Sequence, residues 1–79
     1  MIVTVVHNRY SYEFSIEFPE TTTISDLKEL VATVLNCYTN NLRMIYSNVN
    51  QDNETYLSEY GRNNLTLYAV IIPIVCHIH

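Results

Sequence analysis

Between Tyr12 and Phe18 the sequence alternates without interruption. Tyr12, Phe14, Ile16 and Phe18 share one parity, and Ser11, Glu13, Ser15 and Glu17 share the other. A period of two sends successive side chains to opposite faces of a strand, whereas a helix would scatter them around its axis. The pattern predicts a half-buried strand whose apolar side needs a covering layer. The preceding run, Met1 to Val6, is rich in β-branched residues, which suit a pleated surface. With His7 to Ser11 between them, the two runs predict an antiparallel hairpin.

Pro19 ends the second strand, because it donates no ladder hydrogen bond. Thr23-Ile24-Ser25-Asp26 then reads as a helix start: Thr23 can cap, and Asp26 stands three residues on, as in a capping box with a shorter acid. Ile24, Leu27, Val31, Val34 and Leu35 follow at helical spacing, with Lys28, Glu29, Ala32 and Thr33 expected on the other side. The helix is expected to end near Asn36. Leu42 to Tyr46 predicts a short strand, Asn48 to Thr55 a polar loop, Tyr56 to Gly61 a compact turn and Leu65 to Ile74 a last strand. The order β-β-α-β-turn-β predicts an α+β fold, a sheet with one helix on one face. Gly61 is the only glycine, so tight turns fall to asparagine, which tolerates positive φ. Asn8, Asn40-Asn41, Asn48 to Asn53 and Asn63-Asn64 all lie between apolar runs.

Seventy-nine residues suffice for one domain with one modest core, and 48% apolar content argues against disorder. The net charge is −4, with four basic residues: Arg9, Lys28, Arg43 and Arg62. That composition is poor at holding phosphates, so nucleic acid and anionic membrane are not expected partners. Cys37 and Cys76 do not form a disulfide framework, no secretory leader is visible, and Ala69 to Cys76 is too short to span a bilayer as a helix. A cytoplasmic or nuclear location is the expectation. No catalytic constellation stands out, and Glu13 and Glu17 fall on the outward strand face. His77 and His79 with Cys76 lack further metal ligands at known spacing. The expectation is a non-enzymatic chain without cofactor or metal.

Four segments, in order, resemble the ubiquitin-like β-grasp family. Thr23 to Lys28 resembles a helix opening written T-I-x-x-[VL]-K, Arg43 to Tyr46 a strand written R-L-I-[FY], Leu57 to Tyr60 a turn written L-x-[DE]-Y, and Leu65 to Val70 the last strand. The resemblance covers roughly residues 1–72. It implies a mixed sheet of four to five strands on one helix, with residues 1–74 as the domain and 75–79 as a tail or the start of a linker. It further implies a core of Met1, Val3, Val5, Phe14, Ile16, Phe18, Ile24, Leu27, Val31, Met44, Leu57, Leu67 and Ala69. Lys28 would match a largely buried lysine, and Tyr60 a structural tyrosine whose hydroxyl ties down a nearby loop backbone. The family's conjugated members end in Gly-Gly, which occurs nowhere in this sequence. The resemblance therefore implies the non-conjugated type, a module that binds a ubiquitin receptor, a proteasome subunit or ubiquitin. Ile45 to Asn48 and Leu57 to Gly61 resemble the N-terminal domain of DNA-damage-inducible, retroviral-protease-like shuttle proteins. A covalent modifier and another β-grasp heterodimerisation module remain the alternatives.

Strand parity places Thr4, Val6, Arg43, Ile45, Tyr68 and Val70 on the sheet side away from the helix. Val6, Arg43, Ile45, Tyr68 and Val70 form the expected protein-binding site; Ile45 and Val70 match two members of ubiquitin's recognition patch. Little core energy is expected to depend on them. An exposed cluster of Val, Ile and Tyr is an unusual solvent face on so small a domain. β propensity, or a covering tail, would also place such residues there. The apolar run Val70 to Val75 has three readings: a longer last strand, a dimer contact, or a linker.

Overall fold

The computed structural model describes residues 1–61 and 63–73. His7 pairs with Tyr10, and the hairpin turns on Asn8 and Arg9 alone. Asn8 takes φ 55°, the left-handed conformation an asparagine accepts at low cost. The tight turn starts the second strand earlier than the sequence predicts: β1 is Ile2–His7 and β2 is Tyr10–Ser15. The helix α1 covers Ile24–Leu35, β3 Leu42–Tyr46, β4 Val49–Asn50 and β5 Asn64–Ile71. Short 3-10 turns at Thr39–Asn41 and Leu57–Tyr60 link α1 to β3 and close the loop after β4.

The five strands form one mixed sheet in the order β2-β1-β5-β3-β4. The first and last strands run parallel at its centre, with Val3 opposite Leu65 and Val5 opposite Leu67. Antiparallel β3 places Met44 opposite Ala69 and Leu42 opposite Ile71. These inward residues meet Ile24, Leu27, Val31 and Ala32 of α1, and Ile16 and Leu57 complete the core. Each fully buried aliphatic side chain contributes roughly 1.5–3 kcal/mol.

The capping box forms in full. Thr23 Oγ1 accepts from the Asp26 amide at 3.1 Å, and Asp26 Oδ2 accepts from the Thr23 amide at 3.0 Å. The amides of Ile24 and Ser25 donate to the carbonyls of Thr55 and Asn53. The helix start is therefore satisfied by its own cap and by the loop after β4. Asn36 ends α1 at φ 56°, a left-handed cap of the kind glycine usually supplies.

Several expectations are corrected. Phe18 is 61% exposed rather than core. The ladder of β2 stops at Ser15, and the Phe18 carbonyl instead accepts from the Thr22 hydroxyl at 2.8 Å in a turn. Parity past the end of a ladder no longer aims a side chain at the core. Met1 and Phe14 are only partly buried against the core, whereas Leu42, Leu65 and Ala32 are buried within it. On α1 the buried set is Ile24, Leu27, Lys28, Val31 and Ala32, and Val34 is 48% exposed. At about 100° per residue, Val34 lies roughly 90° from the middle of that stripe, while Lys28 and Ala32 lie within it. The polar loop contains the two-residue β4, reached through left-handed Ser47 and Asn48. The last strand ends at Ile71, two residues before Pro73, and Ile72 donates to the Asn41 carbonyl. The readings of the C-terminal run from Ile74 onward, and of Cys76, His77 and His79, lie outside the described residues.

Candidate functional site

The outer face of the sheet brings the predicted residues together. Tyr68 on β5 stands between two neighbours, opposite Val6 of β1 on one side and Ile45 of β3 on the other. One pleat further along β5, Val70 stands opposite Arg43, and Thr66 lies opposite Thr4 in the other direction. Directly opposed side chains have Cβ atoms about 4.5–5.5 Å apart, so Val6, Tyr68 and Ile45 form one continuous apolar row. Tyr68 is 55% exposed, Val70 is exposed, and Val6, Ile45 and Arg43 are half-buried. None of the five belongs to the core, and Val6, Ile45 and Arg43 are only partly withdrawn from solvent.

The sheet register also defines a margin. Ser11 and Glu13 on β2 stand opposite Val6 and Thr4, and Asn50 on β4 stands opposite Ile45. The face thus has an apolar centre with polar edges. Arg43 is drawn to one end of the face: its Nη1 donates to the carbonyls of Asn40 at 2.9 Å and Leu42 at 3.1 Å.

His7, expected in the hairpin turn, is instead the last residue of β1 and by parity falls on the helix side of the sheet, away from this face. Its Nδ1 lies 3.1 Å from the Ala69 carbonyl oxygen. A carbonyl only accepts, so Nδ1 carries the proton. The Asn8 amide, 3.3 Å from Nε2, then donates to the bare ring nitrogen. The imidazole thus ties β1 to β5 one residue beyond the end of their ladder. The sequence signal was present, since His7 continues the inward parity of Val3 and Val5.

Two further groups lie outside this row. The Tyr60 hydroxyl donates to Gln51 Oε1, so the tyrosine holds a loop side chain rather than loop backbone, correcting the expectation. Gln51 relays the tie, with Nε2 donating to the Val49 carbonyl at 2.9 Å, and the Tyr60 ring meets Tyr46 edge-on at 5.0 Å. Burial, aided by the charges of Glu59 and Asp52 and by Tyr46, raises the Tyr60 pKa against a lowering Thr55 hydrogen bond. Lys28 is buried, as the resemblance implied, and donates to Asn53 Oδ1 at 2.6 Å. Burial first, and the Arg43 charge second, lower its pKa below the ordinary lysine value.

Among the described residues, no cluster of three or more His, Cys, Asp or Glu side chains could hold a metal ion. Among the same residues, no helix is long and apolar enough to cross a membrane.

The fold is the ubiquitin-like β-grasp: a five-stranded mixed sheet carrying one helix. Three solved structures share it. The structure of ATBAG1 in complex with HSP70 superposes with a TM-score of 0.83 at 15% identity, over 94% of this chain and 41% of that one. This chain therefore spans less than half the length of that ATBAG1 chain. The N-terminal ubiquitin-like domain of the 4931431F19Rik protein gives a TM-score of 0.80 at 19% identity, over 100% of this chain and 81% of that one. The ubiquitin-like domain of the Arabidopsis thaliana protein At2g32350 gives 0.75 at 24% identity, over 94% of this chain and 79% of that one. No protein-family model matches the sequence, and no curated protein matches it.

Proposed function

We propose that this domain is a non-catalytic protein-interaction module that seats a partner's apolar side chain on the outer sheet face. Tyr68, between Val6 and Ile45, is its centre, with Val70 and Arg43 at one end. The observation that carries this reading is the position of Tyr68: a large aromatic, more than half exposed, on a rigid central strand between two aliphatic side chains. Tyr anchors an interface at low entropic cost, and neighbours fixed by a ladder need no reordering.

The partner class in this reading is that of the ubiquitin–proteasome system: a ubiquitin receptor, a proteasome subunit or ubiquitin itself. The resemblance of the four sequence segments and the ubiquitin-like neighbours support it. The ATBAG1 structure, solved as a complex with HSP70, is an example of this fold within a protein that binds another protein. A shuttle role in the cytoplasm or nucleus is the finer form of the same proposal.

The test is an amide-shift titration of the labelled domain against ubiquitin and against a ubiquitin-binding helix. Shifts should centre on Val6, Ile45, Tyr68 and Val70, and Tyr68→Ala should weaken binding while Glu20→Ala does not. Shifts confined to α1, or equal affinities for wild type and Tyr68→Ala, would refute the reading.

A further inference from the structure

Lys28 on α1 and Arg43 on β3 line one depression of about 200 Å³, whose remaining wall is Asn50, Gln51, Asp52 and Asn53. Lys28 is 7% exposed. An ammonium has three protons to place, and the described acceptor of Lys28 is the neutral side-chain oxygen of Asn53. Arg43 uses Nη1 on two backbone carbonyls, and its remaining nitrogens have no acceptor among the described residues. Asp52 lines the same space. Among the described residues, the hydrogen-bond acceptors of Lys28 and Arg43 are the Asn53 side chain and two backbone carbonyls, none of them a carboxylate.

A buried cation is ordinarily paired, because the cost of removing it from water is recovered only by a nearby negative charge. Here a second cation, Arg43, lines the same depression, together with the single carboxylate of Asp52. Lys28 feels that cation: burial and then Arg43 oppose its protonated form. The depression supplies room, and its polar wall supplies further donors in the side-chain amides of Asn50 and Asn53.

We propose that this depression is an oxyanion site. A carboxylate or phosphate group enters it and accepts from Lys28 Nζ and from the uncommitted nitrogens of Arg43. The planar guanidinium fork suits either group, because both offer two oxygens side by side. Asp52 at the wall sets the strength of the site: its charge opposes an incoming anion and keeps affinity modest. Arg43 also borders the Tyr68 face through its pairing with Val70, so an acidic side chain carried by a partner on that face would reach the same fork. The oxyanion site itself stands on Lys28 and Arg43, and its test needs no partner.

The experiment is a shift titration of the domain, with Lys28 side-chain and backbone amides observed, at constant ionic strength held with chloride. The probes are inorganic phosphate, acetate, and glutamate blocked at both backbone ends. Saturable shifts at Lys28, Arg43 and Asn53, with Val6 and Tyr68 unmoved, are expected from at least one probe. Phosphate alone saturating identifies a phosphoryl group as the ligand; acetate and blocked glutamate saturating identifies a carboxylate. Arg43→Gln should weaken the responsive probe about tenfold, as expected for loss of a charge-assisted hydrogen bond. Asp52→Asn should tighten it several-fold. Neither variant removes a core side chain, so both test the site without unfolding the domain. Shifts that stay linear for all three probes, or that persist unchanged in Arg43→Gln, would overturn the proposal.

Discussion

Tyr68 and Ile45 face each other across β5 and β3 with both side chains on the solvent side of the sheet, yet they differ in what they owe the fold. Tyr68 is 55% exposed and Ile45 is half-buried. Tyr68→Ala should leave the unfolding free energy within ~0.5 kcal/mol of wild type and weaken partner binding by ~1–2 kcal/mol or more. Ile45→Ala should weaken binding too, but also destabilise the fold by about 1 kcal/mol, because it removes partly buried methylenes. Denaturant unfolding and titration of both variants separate the two contributions. Equal stabilities for the pair would mean that the half-burial of Ile45 has no energetic weight.

Leu27 and Phe18 test the core from opposite directions. Leu27 is fully buried beneath the sheet, and Leu27→Ala should cost ~2–5 kcal/mol as a large-to-small change. Phe18 is the larger side chain but lies outside, so Phe18→Ala should cost less than ~1 kcal/mol. Thermal melts of the two variants should fall far apart, and similar midpoints would place Phe18 inside.

The helix ends carry separate predictions. Thr23→Ala removes the acceptor for the Asp26 amide and should cost ~0.5–2 kcal/mol. Asn36 holds φ 56° as the C-terminal cap, so Asn36→Gly should be neutral or slightly stabilising. Asn36→Ala should cost about 1 kcal/mol, because a Cβ without a local polar partner is disfavoured there. Urea unfolding gives all three values; a neutral Asn36→Ala would contradict the left-handed cap.

Lys28 and Tyr60 give opposite alkaline signatures. The folded pKa of Lys28 is lowered from 10.5, so the unfolded chain binds more protons just below that value. Its contribution should make stability rise with pH from the lowered pKa up to about 10.5. The folded pKa of Tyr60 is raised from 10.0, so its contribution is fully present below 10.0 and is lost as pH climbs through the raised value. Stability profiles of Lys28→Met and Tyr60→Phe should each lose one limb. In wild type minus Lys28→Met the difference should grow with pH, and in wild type minus Tyr60→Phe it should shrink. A flat difference in either series would show that the residue titrates alike in the folded and unfolded chain.

Strand parity carried most of what could be known from sequence. The inward set of β1, β3 and β5 and the outward row of Val6, Ile45 and Tyr68 both follow from a period of two anchored at Tyr12 to Phe18. Parity fails where the ladder does: nothing in the run announces that pairing stops at Ser15, so parity alone points Phe18 inward. Helical spacing failed by less than a quarter turn. A stripe chosen by apolarity takes Val34 and rejects Lys28, whereas geometry takes Lys28 because its ammonium finds Asn53 twenty-five positions away. Two-residue β4 is too short to carry a period. The Gln51 relay between Tyr60 and the loop, and the approach of Lys28 to Arg43, are meetings of distant residues, and no local pattern encodes them.

The strands at the middle of the sheet are the first and the last, and the His7–Ala69 tie spans a separation of 62 residues. During synthesis on a ribosome, the early hairpin and helix emerge without the strand that joins them to β3. Joining them means closing a very long loop, an entropic barrier met before any central contact rewards it. In the row Val6–Tyr68–Ile45, the middle member comes from β5 and its two neighbours from β1 and β3, which precede it in the chain. A nascent or C-terminally cleaved chain ending before β5 would therefore keep its hairpin and helix sequences and still present no Tyr68 face.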